Sequence, residues 1–315
     1  MSKVAFFLTL LATVFVCLLP AIPAQAAGAA RTFISAAGSD ANNCTNVTTP
    51  CRHMAAAYAA TAPNGEIYVL DPANYGSLTI TGPVSIEGHG WASIAPVANS
   101  AAITINAPGA TDKINIIGVV LDGTALVNTN GIVFNSGGSL TVRDSVIRNF
   151  SNDGIHFVPN STVLSQLFVS STLVSDNTGT GINIDPTGSG TTNGVLDHVQ
   201  TENNAANGLI AQTSTQTITL AITDSVSANN GSDGIKSSSS GGSVYVVLRN
   251  CTIANNVAFG LEAENVNATI RLTRSTITGN GAAWGNLNGA AVTSYDDNNI
   301  IANFTQTAPS TIPYN

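Results

Sequence analysis

Charged side chains are scarce in this sequence. Of 315 residues, only 10 are Lys or Arg and 18 are Asp or Glu, so the formal net charge is −8. An acidic chain without a basic cluster does not match the charge of nucleic acid or of an anionic membrane surface. The sequence therefore predicts no nucleic-acid partner. Its Ser, Thr and Asn residues suit neutral hydrogen-bonding partners such as sugars, although a stacked β-structure also carries such residues on its surface.

Long apolar runs are missing except at the N-terminus. Residues 4–19 are almost wholly apolar, they follow Lys3, and the A-Q-A pattern at 24–26 resembles a cleavage site. We therefore predict a signal peptide at 1–26 and a secreted or periplasmic protein. A retained membrane anchor is the alternative, but the apolar run is short for a membrane span. No membrane span is predicted in the mature chain.

Cysteine is also rare, with 4 residues in the whole chain. Cys44 and Cys51 lie close together in a polar segment rich in Asn and Thr. Two close cysteines in an exported protein indicate a disulfide, so we predict a bond between them. A zinc site is the alternative, but it would need more ligands than the nearby His53 supplies.

A short phrase, Gly followed by Ile or Leu, recurs between residues 131 and 261. Its glycines are spaced by 23, 27, 27, 26 and 26 residues, at Gly131, Gly154, Gly181, Gly208, Gly234 and Gly260. A period of this length is typical of solenoid and other repeat proteins. Each period contains short runs of Val, Ile, Leu and Thr and no helical pattern, which predicts about three strands per period. Because one period cannot bury its own apolar face, we expect the periods to stack as coils.

A second marker precedes the phrase by five residues, at Asn149, Asp176, Asn203, Asn229 and Asn255. Stacked coils place equivalent residues about 4.8 Å apart. We therefore predict that this row forms a structural ladder at one turn, in which each amide bonds to the amide of the next coil.

These coils resemble the right-handed parallel β-helix repeats of the pectate-lyase-like superfamily, over roughly Gly65 to Asn303. The resemblance implies an all-β fold with three parallel sheets, and the pattern of strands along the sequence predicts about nine coils. The N-terminal segment around Cys44 and Cys51 resembles a bacterial group of secreted β-helix proteins of undefined biochemical role, and the Ala-rich residues 54–60 predict a short capping helix. The expected divisions are a signal peptide (1–26), an N-terminal cap (27–64), the β-helix (65–304) and a tail (305–315).

The resemblance also suggests where catalytic groups would lie, since enzymes of this superfamily carry them on the outer face of one sheet. Equivalent positions form three rows. The first runs through Arg143, Ser170, Asp197, Thr223 and Arg249; the second through Asp144, Ser171, His198, Asp224 and Asn250; the third through His156, Asn183, Ile210, Lys236 and Glu262. Stacking should bring four of these residues together as a candidate acid/base cluster: Asp197, His198, Asp224 and Arg249. The alternative is that these polar residues only satisfy turns and pair across coils.

Two functions remain open from the sequence. The motif order of polygalacturonase-like enzymes is absent, because Gly88-His89-Gly90 precedes Asp296-Asp297. The dispersed carboxylates predict no metal site, and no cofactor is predicted. One hypothesis is a noncatalytic module that binds polysaccharide or has a structural role at the cell surface. The other is a polysaccharide lyase or glycoside hydrolase. The sequence leaves the oligomeric state undetermined.

Overall fold

The chain folds as a right-handed parallel β-helix, which confirms the predicted fold class. The structure, a computed structural model, describes residues 28–124, 126–305 and 310–312, so the predicted signal peptide lies outside the described residues. The described residues contain 27 strands and one short helix. Each coil contributes up to three strand segments, which pair with the equivalent segments of the coils before and after it. We call the three resulting stacks the first, second and third ribbons.

The first ribbon contains Ala29–Ile34, Thr61–Val69, Ser139–Arg143, Thr217–Thr223, Ser243–Arg249, Ala268–Thr273, Ala291–Ser294 and Ser310–Thr311. The second contains Ala73–Asn74, Val146–Arg148, Val226–Ala228, Thr252–Ala254, Thr276–Thr278 and Asn299–Ile301. Four longer strands pass from the first ribbon into the second, namely Val84–Ile94, Lys113–Asp122, Leu164–Ser175 and Thr191–Glu202. The third ribbon has nine strands, in agreement with the predicted number of coils: Leu78–Ile80, Ala101–Asn106, Asn130–Ser136, Ile155–Phe157, Ile182–Ile184, Leu209–Thr213, Ile235–Ser239, Phe259–Glu264 and Ala282–Leu287.

The strands form because apolar and polar residues alternate along them. In Ser243–Arg249, for example, Val244, Val246 and Leu248 point into the solenoid and the residues between them are exposed. Branched aliphatic side chains suit this pleated geometry. Stacked across the coils, they fill one continuous interior of Ile, Val and Leu.

In most coils two corners use the left-handed backbone conformation. The first corner joins the first and second ribbons, and its residues have φ between 47° and 55°: Asp144, Ser171, His198, Asp224, Asn250 and Arg274. The second corner follows the second ribbon, and its residues have φ between 55° and 60°: Asn149, Asp176, Asn203, Asn229 and Asn255. Asn and Asp tolerate positive φ better than other residues with a side chain. This preference explains why they recur at the second corner.

The amide ladder lies one residue later than the sequence interpretation placed it. The expected row, Asn149, Asp176, Asn203, Asn229 and Asn255, is exposed. The ladder is instead built by the next residue of each coil, with Nδ2 to Oδ1 distances of 2.9 to 3.1 Å along Asn177, Asn204, Asn230, Asn256, Asn280 and Asn303. The left-handed corner turns the chain so that the following side chain points inward. A buried amide then needs protein partners, which its neighbours in the stack provide.

A disulfide loop and the helix cover the N-terminal end of the solenoid. Cys44 and Cys51 form the predicted disulfide. The Phe33 N–H donates to the Cys44 carbonyl at 2.8 Å, and the Cys51 N–H donates to the Phe33 carbonyl at 2.9 Å. The loop therefore satisfies the free edge of strand Ala29–Ile34, which would otherwise be open to pairing with another chain.

The helix spans Met54–Ala60, as expected, and buries Met54 and Ala57 against the core. The region interpreted as a cap also contributes a strand, because Ala29–Ile34 pairs in parallel with Thr61–Val69. Within the part of the chain that is described, no helix has the length and apolar character needed to cross a membrane.

Candidate functional site

Three of the four predicted site residues meet at the first corner. Asp197 ends the first-ribbon part of its strand and pairs in register with Thr223 of the next coil. His198 and Asp224 follow these two residues at successive corners. One possible ligand atom from each of Asp197, His198 and Asp224 lies within 4.8 Å of the others. The structure therefore brings these three side chains together.

The cluster is open to solvent. His198 Nδ1 lies 3.1 Å from Asp197 Oδ1, and the two side chains are 63% and 39% exposed. The Thr223 hydroxyl donates to Asp197 Oδ1 at 2.7 Å. This hydrogen bond, followed by the one from His198, holds the pKa of Asp197 below its usual value. At this exposure an ion pair contributes at most about 1 kcal/mol to stability.

The fourth predicted residue, Arg249, does not join the cluster. It pairs in register with Thr223, so it lies two coils beyond Asp197, at a backbone separation of roughly 10 Å. Its side chain is exposed and forms no ion pair with a described residue. The corner residue beside it, Asn250, donates instead to the Asp224 carboxylate.

A second charged cluster lies on the outer face of the third ribbon and is better buried. Lys236 and Glu262 pair in register on adjacent coils. Lys236 Nζ lies 2.9 Å from Glu262 and 3.0 Å from Glu264. The side chains of Lys236 and Glu262 are 21% and 7% exposed. Burial opposes the charge on Lys236, but the two carboxylates outweigh it and raise the lysine pKa.

Asp233 completes this second cluster. It is 2% exposed and accepts a 3.0 Å hydrogen bond from the Phe259 N–H. Burial, together with the neighbouring Glu262 carboxylate, raises the pKa of Asp233 to about 7, although the Phe259 N–H and the Lys236 charge act in the opposite direction. A carboxyl group that titrates near neutral pH can give or take a proton, which is a property of many functional sites.

The sequence interpretation named Lys236 and Glu262 in its third row but did not select them. Their 26-residue separation and common repeat position were a signal for the contact. Asp233 immediately precedes Gly234 of the repeated phrase and was not selected as a candidate residue. Its special property is burial beside another carboxylate, which the spacing alone does not reveal.

The outer face of the first ribbon carries an exposed apolar row. Residues in register on four successive coils form it, namely Phe168, Val195, Ala221 and Val247. Three of them are 38%, 43% and 44% exposed: Phe168, Val195 and Val247. On one side lies a row of Gln166, Asn193, Thr219 and Tyr245, and on the other a row of Ser170, Asp197, Thr223 and Arg249. The predicted site residues Asp197 and Arg249 thus border this face.

The chain belongs to the right-handed β-helix family. The family model, described as a right handed beta helix region, matches residues 130–305, which is more than half of the chain. No curated protein sequence matches the chain.

Three solved structures are similar to this one at low sequence identity. Pectate lyase Pel9A is 15% identical with a TM-score of 0.56, and the alignment covers 90% of this chain and 78% of that one. The A-module of mannuronan C-5 epimerase AlgE6 from Azotobacter vinelandii is 15% identical with a TM-score of 0.37, covering 80% and 91%. GH136 lacto-N-biosidase from Eubacterium ramulus is 9% identical with a TM-score of 0.35, covering 86% and 68%. The similarity to the pectate lyase supports the fold.

Proposed function

We propose that this chain is an exported, noncatalytic polysaccharide-binding protein whose ligand lies along the outer face of the first ribbon. The observation that carries the proposal is the exposed apolar row Phe168, Val195, Ala221 and Val247 between two rows of polar side chains. A sugar ring presents an apolar C–H face and a rim of hydroxyl groups. Apolar contact area with a few well-placed polar groups is the usual composition of a ligand site.

The polar rows match the hydroxyl rim of such a ligand. Asn193 and Thr219 lie beside the apolar row on one side, and Thr223 and Arg249 lie on the other. Amide, hydroxyl and guanidinium groups all donate hydrogen bonds, and the first three residues are uncharged. Because equivalent residues repeat every 4.8 Å or so along the stack, the same contacts are offered to successive units of a polymer.

A groove lies at the start of the first-ribbon strands, beside the flanking row that contains Gln166. It has a volume of about 360 Å³ and is lined by Lys113, Ser139, Val163, Leu164 and Gln166, among other residues. Leu164 and Val163 are 41% and 47% exposed. The groove therefore adds further apolar surface on the far side of the Gln166 row from Phe168. The disulfide between Cys44 and Cys51 supports an extracellular location, where such bonds persist.

Binding to a panel of plant, algal and bacterial polysaccharides, measured by affinity electrophoresis and calorimetry, tests the proposal. The double variant Phe168→Ser, Val195→Ser should weaken binding about tenfold or more, because each side chain, 38% and 43% exposed, has roughly 0.6–1.2 kcal/mol left to gain on burial. Val257→Ser is the matched control, since Val257 is 71% exposed and lies in a turn away from the first ribbon. The proposal is contradicted if the parent protein binds no polysaccharide, or if the Phe168→Ser, Val195→Ser variant binds as tightly as the Val257→Ser variant.

A second candidate function, a polysaccharide lyase or glycoside hydrolase, is favoured by the buried cluster of Asp233, Lys236 and Glu262. Here Asp233 would transfer a proton, because its pKa of about 7 lets it exchange protons near neutral pH. The corner cluster around His198 is the competing location. Reducing-sugar and unsaturated-product assays separate the two. If Asp233→Asn loses activity and His198→Ala keeps it, the reaction takes place at the third ribbon. The reverse result places the reaction at the first corner. An inactive parent protein excludes this candidate function.

A further inference from the structure

The first corner between Glu87 and Ala92 is longer than the first corner of the next coil. In the coil after it, a single residue, Gly118, forms the corner, as Asp144 and His198 do later. In the strand Val84–Ile94, Glu87 pairs with Ile117 and Ala92 pairs with Val119. Four residues, 88–91, therefore occupy the place of one. In repeat proteins, insertions of this kind form loops on one face, which is often the binding face.

Glycines shape this insertion. Gly90 has φ of +81°, and Gly118 has φ of +64°. A Cβ atom on Gly118 would lie 2.8 Å from the backbone nitrogens of both His89 and Gly90, and a Cβ on Gly88 would collide with the Gly118 carbonyl oxygen. The inserted loop can therefore lie against the next coil only because these positions lack side chains.

The insertion completes a cluster of aromatic rings. The rings of Tyr68 and His89 lie 4.4 Å apart between centroids, and those of His89 and Trp91 lie 5.5 Å apart. Phe33 extends the cluster, 6.2 Å from Tyr68. Trp91, one of only 2 tryptophans in the chain, is 45% exposed. A large aromatic ring left this open on a protein with few aromatic residues is available for contact with a ligand.

The insertion is not explained by stability. His89 Nε2 is buried without a hydrogen-bond partner among the described residues, which is an unfavourable arrangement. His89 also adopts the left-handed conformation with φ of 55°. A local arrangement with an unpaired polar atom, a strained residue and an exposed tryptophan is typical of a functional site.

The charges around the rings favour a neutral ligand. The Arg31 guanidinium is engaged by Glu66 at 2.6 Å and lies 5.4 Å from the centre of the Tyr68 ring. The Glu87 carboxylate lies 3.7 Å from His89 Nδ1 and is 25% exposed. Arg31 is therefore already paired and does not offer its charge to an acidic polymer. The Glu87 carboxylate repels such a polymer.

The cluster lies on the same face as the apolar row. Tyr68 pairs in register with Glu87, and the row continues through Ile117, Arg143 and Ser170 to Asp197. Five steps of about 4.8 Å separate Tyr68 from Asp197, which is roughly 24 Å along the solenoid axis. A polymer that follows the first ribbon can therefore reach both places.

We propose that Trp91, supported by His89 and Tyr68, is a stacking site for one neutral sugar unit at the N-terminal end of the polysaccharide-binding face. The inference rests on the proposed function of that face. The indole ring lies against the apolar face of the sugar, and the Glu87 carboxylate accepts a hydrogen bond from one of its hydroxyl groups. The inserted loop thus determines where along the solenoid a neutral chain is held.

The test is a tryptophan fluorescence titration with hexaoses of glucose, xylose and mannose, together with a uronate hexamer as the acidic comparison. A neutral hexaose should change the emission of the parent protein. Trp284→Phe, which alters the other tryptophan, 9% exposed, should keep this change. Trp91→Ala should lose it and raise the Kd measured by calorimetry about tenfold, whereas Trp91→Phe should retain most of the affinity. The thermal midpoint of Trp91→Ala should stay near that of the parent protein.

The two proposals fail in different ways. Parent-like affinity in Trp91→Ala, or a response only to the uronate hexamer, overturns the stacking site even if the Phe168→Ser, Val195→Ser variant has lost binding. Loss of binding in Trp91→Ala alone, with the Phe168 and Val195 variant unaffected, supports the stacking site and contradicts the role of the apolar row. No response to any hexaose, together with no polysaccharide binding, overturns both.

Discussion

Replacing Asn230 by Ala should destabilise the solenoid far more than removing the side chain of Asn229. The Asn230 side chain is buried and donates to Asn256 Oδ1 at 2.9 Å and to the Thr201 carbonyl at 3.1 Å. Its Oδ1 accepts two bonds from Asn204, from the backbone N–H and from Nδ2, each at 3.1 Å. Alanine removes all four of these interactions at once.

The magnitude follows from what is left behind. The backbone N–H of Asn204 loses its hydrogen-bond partner in a place that water does not reach, which costs about 1–3 kcal/mol. Each of the other lost hydrogen bonds contributes about 1 kcal/mol, and the losses are not strictly additive because they share partners. We therefore expect the free energy of unfolding of Asn230→Ala to fall by about 2–5 kcal/mol.

Urea unfolding followed by far-UV circular dichroism measures this loss. The matched control is Asn229→Gly, which keeps a residue that accepts the left-handed corner conformation and removes an exposed side chain. It should change the free energy of unfolding by less than about 1 kcal/mol. Equal midpoints for the two variants, or a larger loss at Asn229, would show that the buried amide ladder does not stabilise the fold.

Three further predictions concern charge and the N-terminal cap. Folding raises the Asp233 pKa from 3.8 to about 7, so the protonated carboxyl group stabilises the fold below about pH 4, and this stabilisation is lost as the pH rises through 7. In thermal midpoints measured between pH 4 and 8, the Asp233→Asn variant should show a smaller decrease with pH than the parent protein. Lys236→Met should lower the free energy of unfolding in urea by about 3 kcal/mol, because it leaves the Glu262 carboxylate buried and unpaired. The double variant Lys236→Met, Glu262→Met should regain much of this stability, because neither charge is then left buried. Reducing the Cys44–Cys51 bond should cost about 2–3 kcal/mol by the chain-entropy estimate, and mass spectrometry should show no alkylation of either thiol before reduction; alkylation without reductant would contradict the bond.

Strand register was the most predictable feature, because it depends on repeat spacing. Ser170, Asp197 and Thr223 occupy one row in the structure as the sequence period indicates. The position of the ladder was harder to predict, because Asn occurs at both Asn229 and Asn230. One residue fits the left-handed corner and the other fits the buried turn, and composition alone does not distinguish these two reasons for Asn.

The candidate site shows a similar limit. The period correctly placed His198 near Asp224, but it also places many polar residues near one another, and it does not indicate which pairs are buried. The high pKa of Asp233 depends on the desolvation of its carboxyl group, which is a property of the packed structure. The insertion at 88–91 interrupts the period, so spacing could not indicate that Trp91 and Tyr68 belong to the same cluster.

The covered N-terminal end has a consequence for the order in which the molecule assembles. Partners in neighbouring coils are separated by about one period, such as the 26 positions between Asn204 and Asn230. The disulfide loop and the helix Met54–Ala60 come before almost all of the strands in the chain. As the polypeptide is made from its N-terminus, each coil emerges next to a neighbour that is already in place, and the growing edge is always at the newest end. Assembly can therefore proceed in one direction, without waiting for distant parts of the chain.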